Sequence, residues 1–200
     1  MRLRQLQQQF GEQIAITHRA FPLLADDQSR NFTPYYLQHR RAAREMTGLP
    51  YDLPLAGAHY PLSSMAALQA AKWVEANHLD RFDAYDLALY EAFFQHTRDI
   101  SDPNVLADLA EANEMPGMSL AEALQSRAFE EVVWADHQEA LQTGVNGIPA
   151  VLIGPYVLSG AVPFEDYEQA TRAVLRDGHS GQEDSAAAAA RPHRRPLRVR

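Results

Sequence analysis

The stretch Gly144-Val145-Asn146-Gly147-Ile148-Pro149-Ala150-Val151-Leu152-Ile153 decides how this chain folds. Pro149 has no amide hydrogen, so it suits a strand's first position and not the middle of a sheet. The apolar run 150–153 then reads as a strand. Gly144 and Gly147 bracket the approach to it, and glycine takes positive φ or lets another backbone come close. The Ile148–Pro149 bond fits a trans strand entrance or a cis tight turn. Only about 5–6% of X-Pro bonds in folded proteins are cis, and the local residues leave both open. A second fact belongs beside this stretch: the 200-residue chain contains no cysteine.

Downstream, Gly154-Pro155 separates 150–153 from a second short apolar run at 156–158, the pattern of a β-hairpin. Pro163 then opens a helix over 164–175, with Tyr167, Ala170 and Val174 at helical spacing. Upstream the signals are mostly helical. A helix over 2–10 ends at Gly11, and 13–19 alternates with Ile14 and Ile16 on one face, as a half-buried strand does. After a loop at 20–32, Thr33-Pro34 caps and starts a helix that runs to Thr47 and closes at Gly48, and 49–62 is too rich in Pro and Gly to be regular. Ser63 or Ser64 caps a helix over 65–78, with Leu68, Ala71, Trp73 and Ala76 on its apolar side. Helices over 81–95 and 103–114 follow, the second opened by Asp102-Pro103. Ser119 with Glu122 makes a capping-box pattern before 120–125, and 129–142 carries Val132, Val133 and Trp134. The apolar stripes of these helices read as core, each covering the next.

Composition narrows the function classes. Two hundred residues with 46% hydrophobic residues suit one domain, with or without a subdomain. No run approaches the ~18–20 apolar residues of a membrane span, and the Arg- and Gln-rich start lacks the apolar segment of a signal peptide, so a cytoplasmic protein is expected. Residues 177–200 carry five arginines against three acids, a net +2, which leaves −10 on residues 1–176 of a chain whose total is −8. So acidic a body argues against nucleic-acid binding by the core. The 177–200 segment, with its alanine run and Arg-Pro-rich end, reads as a disordered tail, a solvated extension rather than a contact for RNA or an acidic partner.

Other chemistries find little support. His18, His39, His59, His78, His96 and His137 are scattered without metal-ligand spacing. Adjacent acids at Asp26-Asp27, Glu130-Glu131 and Glu165-Asp166 point apart on a helix and read as solvated faces, not acid–base dyads. Ser63-Ser64 lacks a nucleophile context, and Gly144-Val145-Asn146-Gly147 precedes a strand where a phosphate loop would precede a helix.

The element order, together with Gly147-Ile148-Pro149, Gly160-Ala161-Val162-Pro163 and Asp99-Ile100-Ser101-Asp102, resembles the DsbA-like oxidoreductases, most closely their FrnE-type branch, over residues 1 to about 176. The resemblance implies an α/β, thioredoxin-like fold. Residues 1–61 would form its N-terminal portion, 62–143 an all-helical insertion, 144–176 its C-terminal portion and 177–200 the tail. It implies a cis Ile148–Pro149 bond, and substrate binding at Gly147, Ile148 and Pro149, with Ile148 presenting its backbone to an extended partner. The family's first, central strand and the Cys-Pro-Trp-Cys-like motif after it have no counterpart here, which suggests an internal start at Met1 and two inner sheet edges left without that strand.

Three function classes follow. The first is a thiol-disulfide oxidoreductase whose catalytic segment is not in this sequence, so that no catalytic residue is assigned and the chain as given is inactive. The second is a glutathione-dependent isomerase or transferase of the hydroxychromene-carboxylate isomerase group. The third is a non-catalytic peptide- or thiol-binding module. The expected partner is a protein or small molecule bearing a thiol or disulfide, with glutathione as a co-substrate at most and no cofactor or metal.

Overall fold

The computed structural model describes residues 2–25 and 30–189, with backbone alone from 178 onward. In chain order the elements are α1 Arg2–Phe10, a 3-10 turn Gly11–Gln13, β1 Arg30–Asn31, α2 Pro34–Thr47, β2 His59–Tyr60, α3 Met65–Asn77, a 3-10 turn Leu79–Arg81, α4 Phe82–Phe94, α5 Pro103–Ala112, α6 Gly117–Gln125, α7 Glu130–Gln142, β3 Ala150–Ile153, β4 Tyr156–Ser159 and α8 Phe164–Ala189. They group into two compact units: Met1–His18 with Gly147–Arg200, and Arg19–Asn146, which is inserted between those two segments. The inserted unit takes in residues 19–61 as well as the 62–143 block expected from sequence.

The first unit is built on α1, α8 and the β3–β4 hairpin. Leu3, Leu6 and Phe10 recur at helical spacing on α1, while its Arg and Gln residues turn outward. Leu6 and Phe10 are buried with Tyr167 of α8, and Ile14, Val151, Ile153, Leu158, Phe164 and Leu175 pack around them. Along the exposed side of α1 and α8, Gln9 Nε2 donates to Glu168 Oε1 at 2.6 Å, Arg172 reaches the same carboxylate at 2.7 Å, and the Arg172 guanidinium lies 5.3 Å from the centre of the Phe10 ring.

Two expectations change in this unit. Residues 14–19 form no strand. Ile14 is extended (φ −130°, ψ 149°) and burial alternates from Ile14 onward as foreseen, but among the described residues no other strand pairs with this segment. A side-chain pattern sets a face, whereas a ladder needs a second backbone to bond. Helix α8 continues to Ala189, past the boundary expected near 176; its last turns hold an alanine run, and alanine is the best helix former. The basic end, residues 190–200, lies outside the described residues, as does the Asp26-Asp27 pair.

In the inserted unit the punctuation residues act as read. Thr33 accepts from the Tyr36 amide at 3.4 Å, and Gly48 closes α2 in the left-handed region (φ 68°), donating to Arg44 O at 2.9 Å. Asp102 accepts from the Asn104 amide at 2.9 Å. Val74, Tyr85, Leu106, Ala110 and Leu120 form the centre of the core, and the Tyr85 hydroxyl donates to Leu106 O at 3.1 Å.

Some local readings do not hold. Helix α6 begins at Gly117 behind Pro116, so Ser119 lies within it and the capping box is absent. The Leu120 amide already donates to Pro116 O at 3.2 Å, one turn before the foreseen start. At α3 the Ser63 Oγ accepts from the Met65 amide at 3.1 Å, while the Ser64 hydroxyl turns back to Leu24 O. The buried face of α3 is Ala67, Ala70, Trp73 and Val74, with Ala76 exposed. Helices α4, α6 and α7 all pack on α3, so its apolar arc is too wide for one stripe to define. The pairing of β1 with β2 was not foreseen, because two-residue strands show no period to read.

Two buried cations tie the inserted unit together. Arg40, 5% exposed, sits among aromatic rings, 4.7 Å from the centre of Phe32 and 4.5 Å from that of Phe93. It donates to Phe93 O at 2.9 Å and to Phe94 O and Asp52 O at 3.3 Å, satisfying the last carbonyls of α4. Lys72, the only lysine of the chain, lies 2.8 Å from both Glu75 and Asp136. Asp136 also accepts from Arg19 at 3.0 Å and from the Ala20 amide at 2.9 Å, so α3, α7 and the segment after His18 meet at one carboxylate. Burial alone would raise the Asp136 pKa, but hydrogen bonds from Lys72 and the Ala20 amide and the charges of Lys72 and Arg19 outweigh it and hold it below the ordinary carboxylate value.

Replacing Asp136 by Asn leaves the buried Lys72 ammonium facing a neutral amide and is expected to cost roughly 3 kcal/mol in urea unfolding at neutral pH. Since the folded pKa is depressed, this contribution is complete above the unfolded value of about 3.9 and fades as pH falls through the folded one. The gap between wild type and Asp136→Asn should therefore narrow in acid. A gap that stays constant from about pH 7 to about pH 3 would contradict the assignment.

Candidate functional site

The loop before β3 is built by the end of one helix and the start of one hairpin. Helix α7 stops at Gln142, and Gly144 (φ 85°) turns the chain so that the Val145 amide returns to Ala140 O at 2.9 Å. Val145 is buried. Beyond it Gly147 is half-buried, Ile148 is 52% exposed and Pro149 is exposed. The Ile148–Pro149 peptide bond is cis.

The hairpin turn sets what this loop presents. Ile153 faces Tyr156 across a two-residue loop in which Gly154 has φ 56°, and a Cβ there would lie 2.6 Å from Val174 Cγ2, so the position requires glycine twice over. In such a hairpin the pair flanking the turn is hydrogen-bonded, and bonded and non-bonded pairs then alternate. Counting back gives Val151–Leu158 and then Pro149–Gly160 as bonded pairs. The Gly160 amide does donate to Pro149 O at 2.8 Å. Pro149 supplies the carbonyl of that last rung and has no amide to complete it, so the ladder ends there.

Two consequences follow for the chemistry of the surface. Ala150 and Leu152 belong to non-bonded pairs with Ser159 and Val157, so their backbone amides and carbonyls point away from β4, to the opposite edge of β3. Side chains divide as well: Val151, Ile153 and Leu158 pack on the core, while Leu152 and Val157 are each 45% exposed on the other face. No charged residue lies between Glu139 and Glu165. The three residues expected to bind substrate, Gly147, Ile148 and Pro149, are thus contiguous at the head of an uncharged, partly exposed hairpin, with no ionisable group among them.

Other constellations do not make a reactive centre. His59 Nε2 lies 2.8 Å from Asp99 Oδ2, and the Ser101 hydroxyl donates to Asp99 Oδ1 at 2.5 Å while accepting from the Leu62 amide at 3.1 Å. Burial acts to raise the Asp99 pKa, but the bonds from Ser101 and His59 prevail and lower it. The serine thus bonds to the carboxylate and not to the histidine, and a nucleophilic triad needs the reverse. The Glu130-Glu131 and Glu165-Asp166 pairs occupy the first turns of α7 and α8, where negative charge meets the positive end of the helix dipole. Among the described residues no group of histidines and carboxylates could hold a metal ion, and no helix is long and apolar enough to cross a membrane. Sequence reasoning passed over Lys72 and Asp136. A lone lysine on an apolar helix face was the available signal.

A hairpin preceded by Ile-Pro, a flanking helix on either side of it in the chain and a helical insertion define a thioredoxin-like protein. The profile of the DSBA-like thioredoxin domain matches residues 1–172, and the chain belongs to that family. Among solved structures, a putative protein disulfide isomerase from Nitrosomonas europaea superposes with a TM-score of 0.72 at 19% identity, covering 88% of this chain and 89% of that one. A probable DsbA oxidoreductase from Streptomyces coelicolor gives 0.68 at 21% identity, covering 99% and 85%. The protein YwbO of Bacillus subtilis is 27% identical over 129 residues, 63% of this chain, which spans about 62% of that relative's length.

The Ser101 geometry makes a chemical prediction. A fluorophosphonate that labels base-activated serines should leave the intact mass of the protein unchanged, and an adduct mapped to Ser101 would show that its hydroxyl is activated after all.

Proposed function

We propose that this chain is a recognition module for thiol- or disulfide-bearing polypeptides, with Gly147, Ile148 and Pro149 as its docking loop. The observation that carries the reading is the half-exposed Ile148 beside Pro149 at the head of β3, in a stretch without charged residues. An extended peptide laid along Ile148 gains main-chain hydrogen bonds for affinity and an apolar contact for selectivity. Membership of the DSBA-like family and the names of its structural neighbours support a thiol or disulfide in that peptide.

The chemical step of disulfide exchange is attack by a thiolate on a disulfide sulfur, giving a mixed disulfide. A chain without cysteine has no such nucleophile, and serine or histidine does not replace it in moving electrons. Residues 1–200 therefore supply binding and orientation, while the thiol chemistry belongs to the partner or to a segment not in this sequence.

Calorimetry with an extended disulfide-containing peptide, and separately with glutathione, tests the docking. Binding is expected, and Ile148→Asp should weaken it roughly fivefold, the effect of losing about 1 kcal/mol of apolar burial. Reduction of insulin by dithiothreitol should run at the same rate with and without the protein. Acceleration would contradict a recognition-only role, and failure to bind either ligand would remove the docking site.

A further inference from the structure

The charge of this chain is segregated, and the segregation bears on what the docking loop receives. Residues 63–146, helices α3 to α7 and their connections, hold fifteen acids and four cations, a net −11. Residues 1–18 and 147–176, which carry the hairpin and its two helices, hold four of each and balance to zero. Solubility needs net charge but not its confinement to one part of a chain. The four cations of the helical stretch are committed within it: Lys72 lies 2.8 Å from Asp136, Arg81 2.7 Å from Glu114, Arg98 2.9 Å from Asp108 and Arg127 3.4 Å from Glu130. The excess of acid meets solvent, and Asp83, Glu111, Glu122 and Glu131 are all exposed.

We propose that the polypeptides docking at Gly147–Pro149 are cationic, drawn in by the field of the helical stretch and held by the uncharged loop. The inference rests on the docking reading above and names the class of its ligand. Helix α7, with Glu130, Glu131, Asp136 and Glu139, leads directly into the loop, and no residue from Ala140 to Phe164 is charged. An approaching ligand therefore meets a negative potential, but once seated it finds no carboxylate in the loop or the hairpin to pair with.

Those two circumstances act on different rate constants. A net field raises the encounter rate of an oppositely charged partner and lowers that of a like-charged one, and salt screens it over about 8 Å at physiological ionic strength. Release depends on close contacts, which here are the apolar surface of Ile148 and main-chain groups, the same for any ligand with the same core. Charge on the ligand is therefore read in association and not in dissociation. Glu111 at the end of α5 and Glu122 within α6 contribute to the field and lie outside the docking loop, so changing them alters the first constant and spares the second.

Stopped-flow binding to the full chain measures both constants, using three disulfide-containing peptides that share one apolar core and differ only in lysine, serine or glutamate flanks. At about 20 mM salt the lysine peptide should associate roughly tenfold faster than the glutamate peptide, with the serine peptide between them, and at about 0.5 M salt the spread should close to within about twofold. Dissociation rates should agree throughout. Glu111→Lys with Glu122→Lys takes the net charge from −8 to −4 and should cut the tenfold spread to about threefold. Circular dichroism checks that this variant remains helical; should it not, Glu111→Gln with Glu122→Gln serves instead, with a smaller reduction expected. Equal association rates at low salt overturn the steering and leave the docking loop standing. Binding of the lysine peptide alone, or a charge effect confined to release, overturns it as well, because the acids themselves would then be the site. Binding of none of the three removes the docking loop and the steering with it.

Discussion

The register of the β3–β4 hairpin is the constraint on which the first unit depends. It is fixed where Ile153 meets Tyr156 across Gly154-Pro155, and Val174 of α8 crowds the turn so closely that a side chain at 154 has no room. From that point alternation decides everything along the strand. Val151, Ile153 and Leu158 go to the core with Leu6, Phe10 and Tyr167, and Leu152 and Val157 go to the surface. A slip by one residue would exchange the two sets. The same counting makes Pro149 the last bonded residue, in the one role a residue without an amide hydrogen can fill there.

Hydrogen-bond alternation and side-chain alternation thus produce a surface with two distinct regions. The loop Gly147–Pro149 offers an exposed apolar side chain and backbone that is not committed to the hairpin. The strand after it turns the backbone groups of Ala150 and Leu152 away from β4. Both lie in a stretch without charge on a chain that is otherwise acidic, so that surface offers shape, main-chain polarity and apolar contact. The ionisable groups are used elsewhere, most tightly at Asp136, where one carboxylate receives Lys72, Arg19 and the Ala20 amide.

What could be read from the sequence divides by the range of the interaction. Thr33-Pro34 with Gly48, Asp102-Pro103, Gly154-Pro155 and Pro163 each act on backbone within a few residues, and each marks an observed boundary. Ile14 and Ile16 were correctly placed on one face, yet whether that segment is a strand depends on another backbone, which no local pattern encodes. Ser119 and Glu122 had the spacing of a capping box, but Pro116 and Gly117 start α6 earlier. The Arg19–Asp136 contact spans 117 positions, and nothing local announces it. Of the Gly147–Pro149 loop, the order of residues and the strand after it could be read directly; its exposure had to come from packing.

Conserving a fold and conserving its chemistry place different demands on a chain. The thioredoxin-like arrangement is held by apolar alternation, by one obligatory glycine and by caps, none of which is a thiol. A chain can therefore belong to the DSBA-like family by every feature that shapes it while containing no sulfur nucleophile. Pro149 closes the hairpin ladder and Ile148 leads into it, so the Gly147–Pro149 loop terminates the hairpin without any thiol. The shape of this loop is thus a consequence of folding, whereas disulfide exchange requires a thiol that folding does not supply.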